Sequence, residues 1–169
     1  KKTSEVKPIS IIDLGCGNAQ LYEYFKKEKI NCIYTGVDFS EKLLGIARDN
    51  NPKANFIYDD INTLEKIVSN YDIALYSHTI EMLPSPELSI IKARKFASKI
   101  IIRFFEPPVF SIDTVELKQM ETAENIMVPY LRRKMSKNYY KMILDKIDCK
   151  ELEIYRDKNS KDQIHIINY

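Results

Sequence analysis

Five times between Ile9 and Phe105 a short apolar run gives way to a stretch with helical spacing, without an internal repeat. Ile9–Leu14, Cys32–Val37, Asn55–Tyr58, Tyr71–Tyr76 and Lys99–Phe105 read as strands. Short continuous apolar runs bounded by turns are the mark of strands buried on both faces. Between them, about residues 19–29 carry Leu21, Tyr24 and Phe25 at helical spacing. Ser40 caps a second helix with Leu43, Leu44 and Ala47 facing inward. A weak helix is expected over Thr63–Val68 and a stronger one over Pro86–Lys95, with proline in its first turn. Strands that alternate with helices form a parallel sheet covered on both faces, because parallel neighbours require a crossover between them.

The last third of the chain is patterned differently. Residues 106–135 are less regular, with a helix expected near Val115–Glu124. Ser136 caps a clear helix in which Tyr140, Ile143, Leu144 and Ile147 follow i, i+3, i+4, i+7. Glu151–Tyr155 and Gln163–Ile167 alternate in polarity across a short polar turn, Arg156–Asp162, so they are expected to pair as an antiparallel hairpin.

With 169 residues the chain has the size of one domain with a full core, and residues 1–169 are read as a single domain. Lys plus Arg number 26 against 24 Asp plus Glu, a balance that excludes a wholly basic nucleic-acid coat. No apolar run approaches the roughly 20 residues of a membrane-spanning helix. Cys16, Cys32 and Cys149 are odd in number and widely spaced, with no CxxC and no Cys/His cluster. They read as reduced thiols of a cytoplasmic protein, and no metal site is expected. The start, Lys1-Lys2-Thr3-Ser4, is polar and has no apolar signal core.

The chemistry concentrates at the end of the first strand. Asp13-Leu14-Gly15-Cys16-Gly17-Asn18 links strand to helix, and glycines there let the backbone approach a ligand closely. In open α/β sheets, ligands lie beyond the carboxyl ends of the strands. Asp38, at the end of strand two and 21 residues after Gly17, is placed to accept both hydroxyls of a ribose. A dinucleotide fingerprint needs a small residue where this chain has Gln20, and Asp13 is an unwelcome charge beside a pyrophosphate. That acid suits a cofactor with a cationic amino-acid end.

Ile11–Asn18 together with Asp38 resembles the cofactor site of class I S-adenosylmethionine-dependent methyltransferases. Phe56-Ile57-Tyr58-Asp59-Asp60-Ile61 and Tyr71–Leu83 resemble that family's next motifs in order, although Met82 stands where the family has His in Glu-His-Leu. The resemblance implies a Rossmann-like α/β three-layer sandwich, with a seven-stranded, mostly parallel sheet and an antiparallel last strand. It implies that S-adenosylmethionine is the cofactor. Asp13, Gly15, Cys16, Gly17 and Asn18 would lie at its methionine end, and Asp38 would hold the ribose. Asp60 and Ile61 would hold the adenine, Phe39 would flank that ring, and Ser77 and His78 would lie near the methyl group. Family members usually carry one or two helices before the first strand. Only about eight residues precede it here, so either that lid is missing or the site is open.

Transfer to an oxygen or nitrogen acceptor calls for alignment and, where the acceptor pKa is high, a base. His78 is the candidate base and Glu106, after strand five, a candidate to bind an amine or hydroxyl. His165, inside the last strand, and Glu81 are read as structural. Arg132, Arg133, Lys134, Lys137 and Lys141 form a basic run without acids. With Tyr139 it is read either as a solvated helix entrance or as a site for an anionic acceptor, Arg132 and Arg133 making the anion contact. A small or carrier-bound acceptor is favoured over nucleic acid. An RNA or protein methyltransferase, a non-catalytic cofactor-binding module and a nicotinamide dehydrogenase remain open alternatives.

Overall fold

The computed structural model describes residues 7–121, 126–158 and 160–169. Its elements run β1 (Ile9–Leu14), α1 (Gln20–Lys27), β2 (Cys32–Asp38), α2 (Glu41–Asn50), β3 (Asn55–Tyr58), β4 (Tyr71–Ser77), a 3-10 turn (Ile80–Met82), α3 (Pro86–Phe96) and β5 (Ala97–Phe104). Then come β6 (Thr114–Glu121), β7 (Met127–Lys134), α4 (Lys137–Lys146), β8 (Glu151–Arg156) and β9 (Gln163–Asn168). Seven strands form one sheet in the order β3-β2-β1-β4-β5-β9-β8. Strands β1 to β5 are parallel, and β9 runs antiparallel to both β5 and β8. The chain order reverses beside β1, so the carboxyl ends of β1 and β4 flank the crevice where such sheets bind ligands.

Period-two alternation sends successive side chains to opposite faces. Ile12, Leu14, Ala74, Tyr76, Ile100, Ile102 and Phe104 meet α3 and α4 through Ile90, Ala93, Tyr140 and Ile143 in the main core. On the other face Tyr34 packs with Leu44 and Ala47 of α2 and with Tyr22 and Phe25 of α1. Beyond α1 that second face is less covered: Ile11, Ile73, Leu75 and Ile101 line an open apolar concavity of about 440 Å³.

Two expected helices are absent. Thr63–Val68 forms a turn, because the amides of Thr63 and Leu64 bond the Asp60 carbonyl, Leu64 takes a positive φ of 45°, and the Lys66 amide turns to the Asp59 carboxylate. The described part of the expected helix Val115–Glu124 is not helical either. Through Glu121 it is the strand β6, paired with β7 in a separate two-stranded sheet, and residues 122–125 lie outside the described residues. The strand wins because Glu116 and Lys118 share one face, where Glu116 also pairs with Lys134 diagonally across the ladder. Arg132, Arg133 and Lys134 therefore lie in a strand, not at a helix entrance, and alternate between its faces. They are not free of acids: Arg133 pairs with Asp113 and Lys134 with Glu116.

Candidate active site

The turn after β1 is tied to the end of β2. The amides of Gly15 and Cys16 both donate to the Val37 carbonyl, at 2.8 and 3.0 Å. Gly15 has φ +89°, and a Cβ there would lie 2.4 Å from Thr79 Cγ2 and Oγ1, so conformation and space both require glycine. Gly17 N donates to Asp38 Oδ2 and Ser40 N to Asp38 Oδ1, each at 2.9 Å. Asp38 thus clamps the turn of β1 to the start of α2, and each oxygen keeps a lone pair for a further donor.

Around this clamp lies a cavity of about 550 Å³ at the carboxyl edge of the sheet. Gly15, Asp38, Phe39, Asp60, Ile61, Ser77 and His78 of the sequence-predicted site line it. Phe39 stands at its mouth, 68% exposed, while Ile61 is buried. Two further groups that the sequence did not single out belong to the lining. Asn62 donates its side-chain amide to Asp60 Oδ1 at 2.8 Å, which leaves its own Oδ1 buried without a partner. Pro129, Tyr130 and Leu131 of β7 close the far side, where β7 packs against the 3-10 turn. The only sequence signal for that flap was the short alternation Val115-Glu116-Leu117-Lys118 in β6.

Asp13, Cys16, Gly17, Asn18, Glu106, Arg132, Arg133 and Tyr139 do not line the cavity. Asp13 is 2% exposed beneath the turn, with Tyr34 Oη donating to Oδ2 at 2.6 Å and Oδ1 buried unpaired. Burial outweighs the Tyr34 bond, and its carboxyl pKa is pushed up to about 6. Cys16 is buried, and its thiol is raised far above its ordinary range by that burial and by Asp13 and Asp38. Glu106 gives its amide to Glu81 Oε1 at 2.8 Å, and the buried Glu81 also takes the Phe105 amide. Glu81 thereby holds the exit of β5. Arg133 is committed to Asp113 and the Pro84 carbonyl, and Tyr139 Oη to Glu87. Arg132 lies 4.5 Å from the Phe105 ring centroid.

His78 follows β4 with φ +58°, its amide donating to the Arg103 carbonyl at 3.0 Å. Its ring stacks on Phe105 at 3.5 Å between centroids, and Nε2 lies 2.8 Å from Asp162 Oδ2. Burial lowers the His78 pKa below its ordinary value despite Asp162, so the ring is neutral near pH 7. His165 is elsewhere, buried in the core against Tyr140 Oη at 2.9 Å, with a pKa lowered by burial to about 4. Among the described residues no group of three His, Cys, Asp or Glu is placed to hold a metal, and no helix is long and apolar enough to cross a membrane.

Residues 11–96, about half of the chain, match the family described as methyltransferase domain, and the chain belongs to that family. It is 32% identical over 84 residues to a ubiquinone biosynthesis O-methyltransferase of Coxiella burnetii, covering 47% of this chain and 35% of that protein. It is 32% identical over 85 residues to a malonyl-[acyl-carrier protein] O-methyltransferase of Bacillus cereus, covering 49% of this chain and 31% of that protein. The chain thus spans about a third of the length of these relatives. Its fold is similar to that of S-adenosylmethionine-bound CalS10, an amino pentose methyltransferase from Micromonospora echinaspora. The TM-score is 0.74 at 11% identity, over 96% of this chain and 84% of that one. A Mesorhizobium loti S-adenosylmethionine-dependent methyltransferase is similar at TM-score 0.70 and 13% identity, over 98% of this chain and 93% of that one.

Proposed function

We propose that this protein binds S-adenosylmethionine in the 550 Å³ cavity and transfers its methyl group to an oxygen or nitrogen of a small or carrier-bound acceptor. The observation that carries the reading is the lining itself. A carboxylate for a diol, an apolar wall and an unpaired buried acceptor lie at one end, and a neutral imidazole lies in the same cavity. In this reading Asp38 takes the ribose hydroxyls, Ile61 and Phe39 sandwich the adenine, and Asp60 with the orphaned Asn62 Oδ1 receives its amino hydrogens. Gly15 gives the backbone room at the amino-acid end, with the Cys16, Gly17 and Asn18 backbone beside it. The buried charge of Asp13 acts from beneath the turn on the ammonium group.

When bound, the cofactor supplies a methyl already activated on sulfur, so the protein has mainly to align a nucleophile and remove its proton. Ser77 and His78 face that task, with His78 as the base. Met82, Leu83, Pro129 and Leu131 exclude water from the acceptor end. Glu106, after β5 and outside the cavity lining, is the further polar group proposed to contact the acceptor. Both curated relatives are named O-methyltransferases, which favours oxygen as the accepting atom. Arg132 is the better placed arginine for an anionic acceptor, because Arg133 is already paired and Tyr139 is bonded to Glu87. The three free thiols favour a reducing, cytoplasmic setting.

Calorimetry with S-adenosylmethionine and with NAD tests the cofactor: the first should bind, and tighter binding of NAD would refute the reading. Labelled methyl from the cofactor, presented with a cell extract, should appear on an acceptor, and that label should vanish in His78→Gln. A variant that transfers at the wild-type rate would remove His78 from the chemistry.

A further inference from the structure

We infer that Asp162, held in place by Arg103, fixes His78 in the tautomer that carries its proton on Nε2 and leaves Nδ1 as the proton acceptor. Asp162 lies in the turn between β8 and β9, 84 residues from His78 in sequence. Its Oδ2 receives His78 Nε2 at 2.8 Å, Arg103 Nε at 2.9 Å and Arg103 Nη2 at 2.7 Å. An ionised carboxylate only accepts, so the ring nitrogen that meets it must carry the hydrogen. Burial works against the Asp162 charge, but the bonds from His78 and Arg103 hold its carboxyl below the ordinary range. It is therefore ionised whenever the enzyme works near neutral pH.

The rest of the surroundings hold the ring in that state. Arg103 accepts the His78 amide through its carbonyl and reaches Asp162 through its guanidinium, so one residue of β5 fixes both backbone and ring partner. Asp162 is itself set by its turn, its amide bonded to Ser160 Oγ and its carbonyl to the Asp157 amide. Stacking on Phe105, with 11° between planes, opposes rotation of the imidazole. The charged groups acting on His78 are Asp162 from the β8–β9 turn, Arg103 from β5 and Arg132 from β7. The two arginines disfavour imidazolium and Asp162 favours it. Nδ1 makes no hydrogen bond among the described residues.

This inference rests on the reading of His78 as the base. During transfer the acceptor's proton passes to Nδ1, and Asp162 balances the imidazolium that forms. Asp162 and Arg103 are positioning residues, acting through His78.

The chain has only two histidines, so nitrogen-15 NMR of the histidine-labelled protein, without cofactor, gives two ring systems, assigned through His78→Gln. His78 should show the Nε2–H tautomer in the wild type and a mixture of tautomers in Asp162→Ala. Asp162→Asn should keep the tautomer, since the amide oxygen still accepts, while the proton affinity of His78 falls at least about tenfold with the lost charge. An unchanged His165 signal reports that the core is intact, and should Asp162→Ala unfold, the asparagine variant carries the test. Nδ1–H in the wild type, an unaltered tautomer in a folded Asp162→Ala, or an unaltered proton affinity in Asp162→Asn would each overturn the inference. Failure of His78 as a base shows separately, as full methyl transfer by His78→Gln with the Nε2–H tautomer present.

Discussion

Asp38 and Asp162 are both largely buried carboxylates at the carboxyl edge of the sheet, each 7% exposed, yet they are satisfied by different kinds of donor. Asp38 takes two backbone amides, from Gly17 and Ser40, so its partners are fixed by where the chain turns. Among the described residues, the Asp162 carboxylate takes only side-chain donors, from His78 and Arg103. The first arrangement shapes the cavity beside the β1 turn and is local to the β1–β2 pair. The second fixes the partner of the His78 ring, and it exists only because β9 runs antiparallel beside β5, bringing the turn before it to that edge. A carboxylate that organises backbone should therefore control binding and stability, and one that organises side chains should control proton transfer.

The largest expected effect lies at the β1 turn. Gly15→Ala forces a side chain into positive φ, at about 1–2 kcal/mol, and into Thr79, at about 1–3 kcal/mol more. The melting temperature should fall by several degrees and calorimetric binding of S-adenosylmethionine should disappear. A variant that melts and binds like the wild type would show that the turn does not need its glycine.

Next is a pH contest between two buried groups outside the cavity, Asp13 beneath the β1 turn and His165 in the core. Asp13, raised to about 6 in the fold from 3.8, contributes stability below pH 4 that is lost as the pH rises through 6, about 3 kcal/mol in all. His165, lowered to about 4 from 6.5, contributes stability above pH 6.5 that is lost as the pH falls through 4. The two slopes oppose each other in one window. Asp13→Asn should leave stability rising with pH between 4 and 6.5, whereas His165→Gln should leave it falling. Urea titrations across that range check the signs, and parallel profiles in the two variants would break the assignment.

Asp38→Ala, by removing charge-assisted bonds worth roughly 1.5–3 kcal/mol each, should weaken S-adenosylmethionine at least about tenfold. Asp162→Ala should leave that affinity within about twofold. Equal losses would erase the division between a binding and a positioning carboxylate. The smallest effect is expected at Arg132. Its replacement by Ala should raise the acceptor KM by about two- to fivefold, for a half-buried charge contact of about 1 kcal/mol, and reduce the salt dependence of KM. An unchanged KM and salt response would confine Arg132 to packing on Phe105.

The alternation from Ile9 to Phe105 was enough to order five parallel strands, and the polar turn before Gln163 was enough to reverse the last one, because buried strands and tight turns leave local marks. Gly15, Gly17 and Asp38 were legible for the same reason: their bonds are made within one β-α-β unit. Asn62 was missed because its significance is a carbonyl oxygen that goes unpaired only once Asp60 has taken the amide. Helices were expected over Thr63–Val68 and Val115–Glu124 because short amphipathic stretches fit a helical period as well; the Asp59 carboxylate decided the first, and the pairing with β7 decided the described part of the second, through Glu121. Arg133 and Tyr139 were grouped with an anion site by proximity in sequence, whereas folding presents them to Asp113 and Glu87. The sequence by itself thus determined the sheet and the glycine turn at its carboxyl edge, through hydrophobic period and backbone freedom. Tertiary structure alone decided which charges are already neutralised and which nitrogen of His78 is left to accept a proton, because those depend on side chains brought together from β4, β5 and the β8–β9 turn.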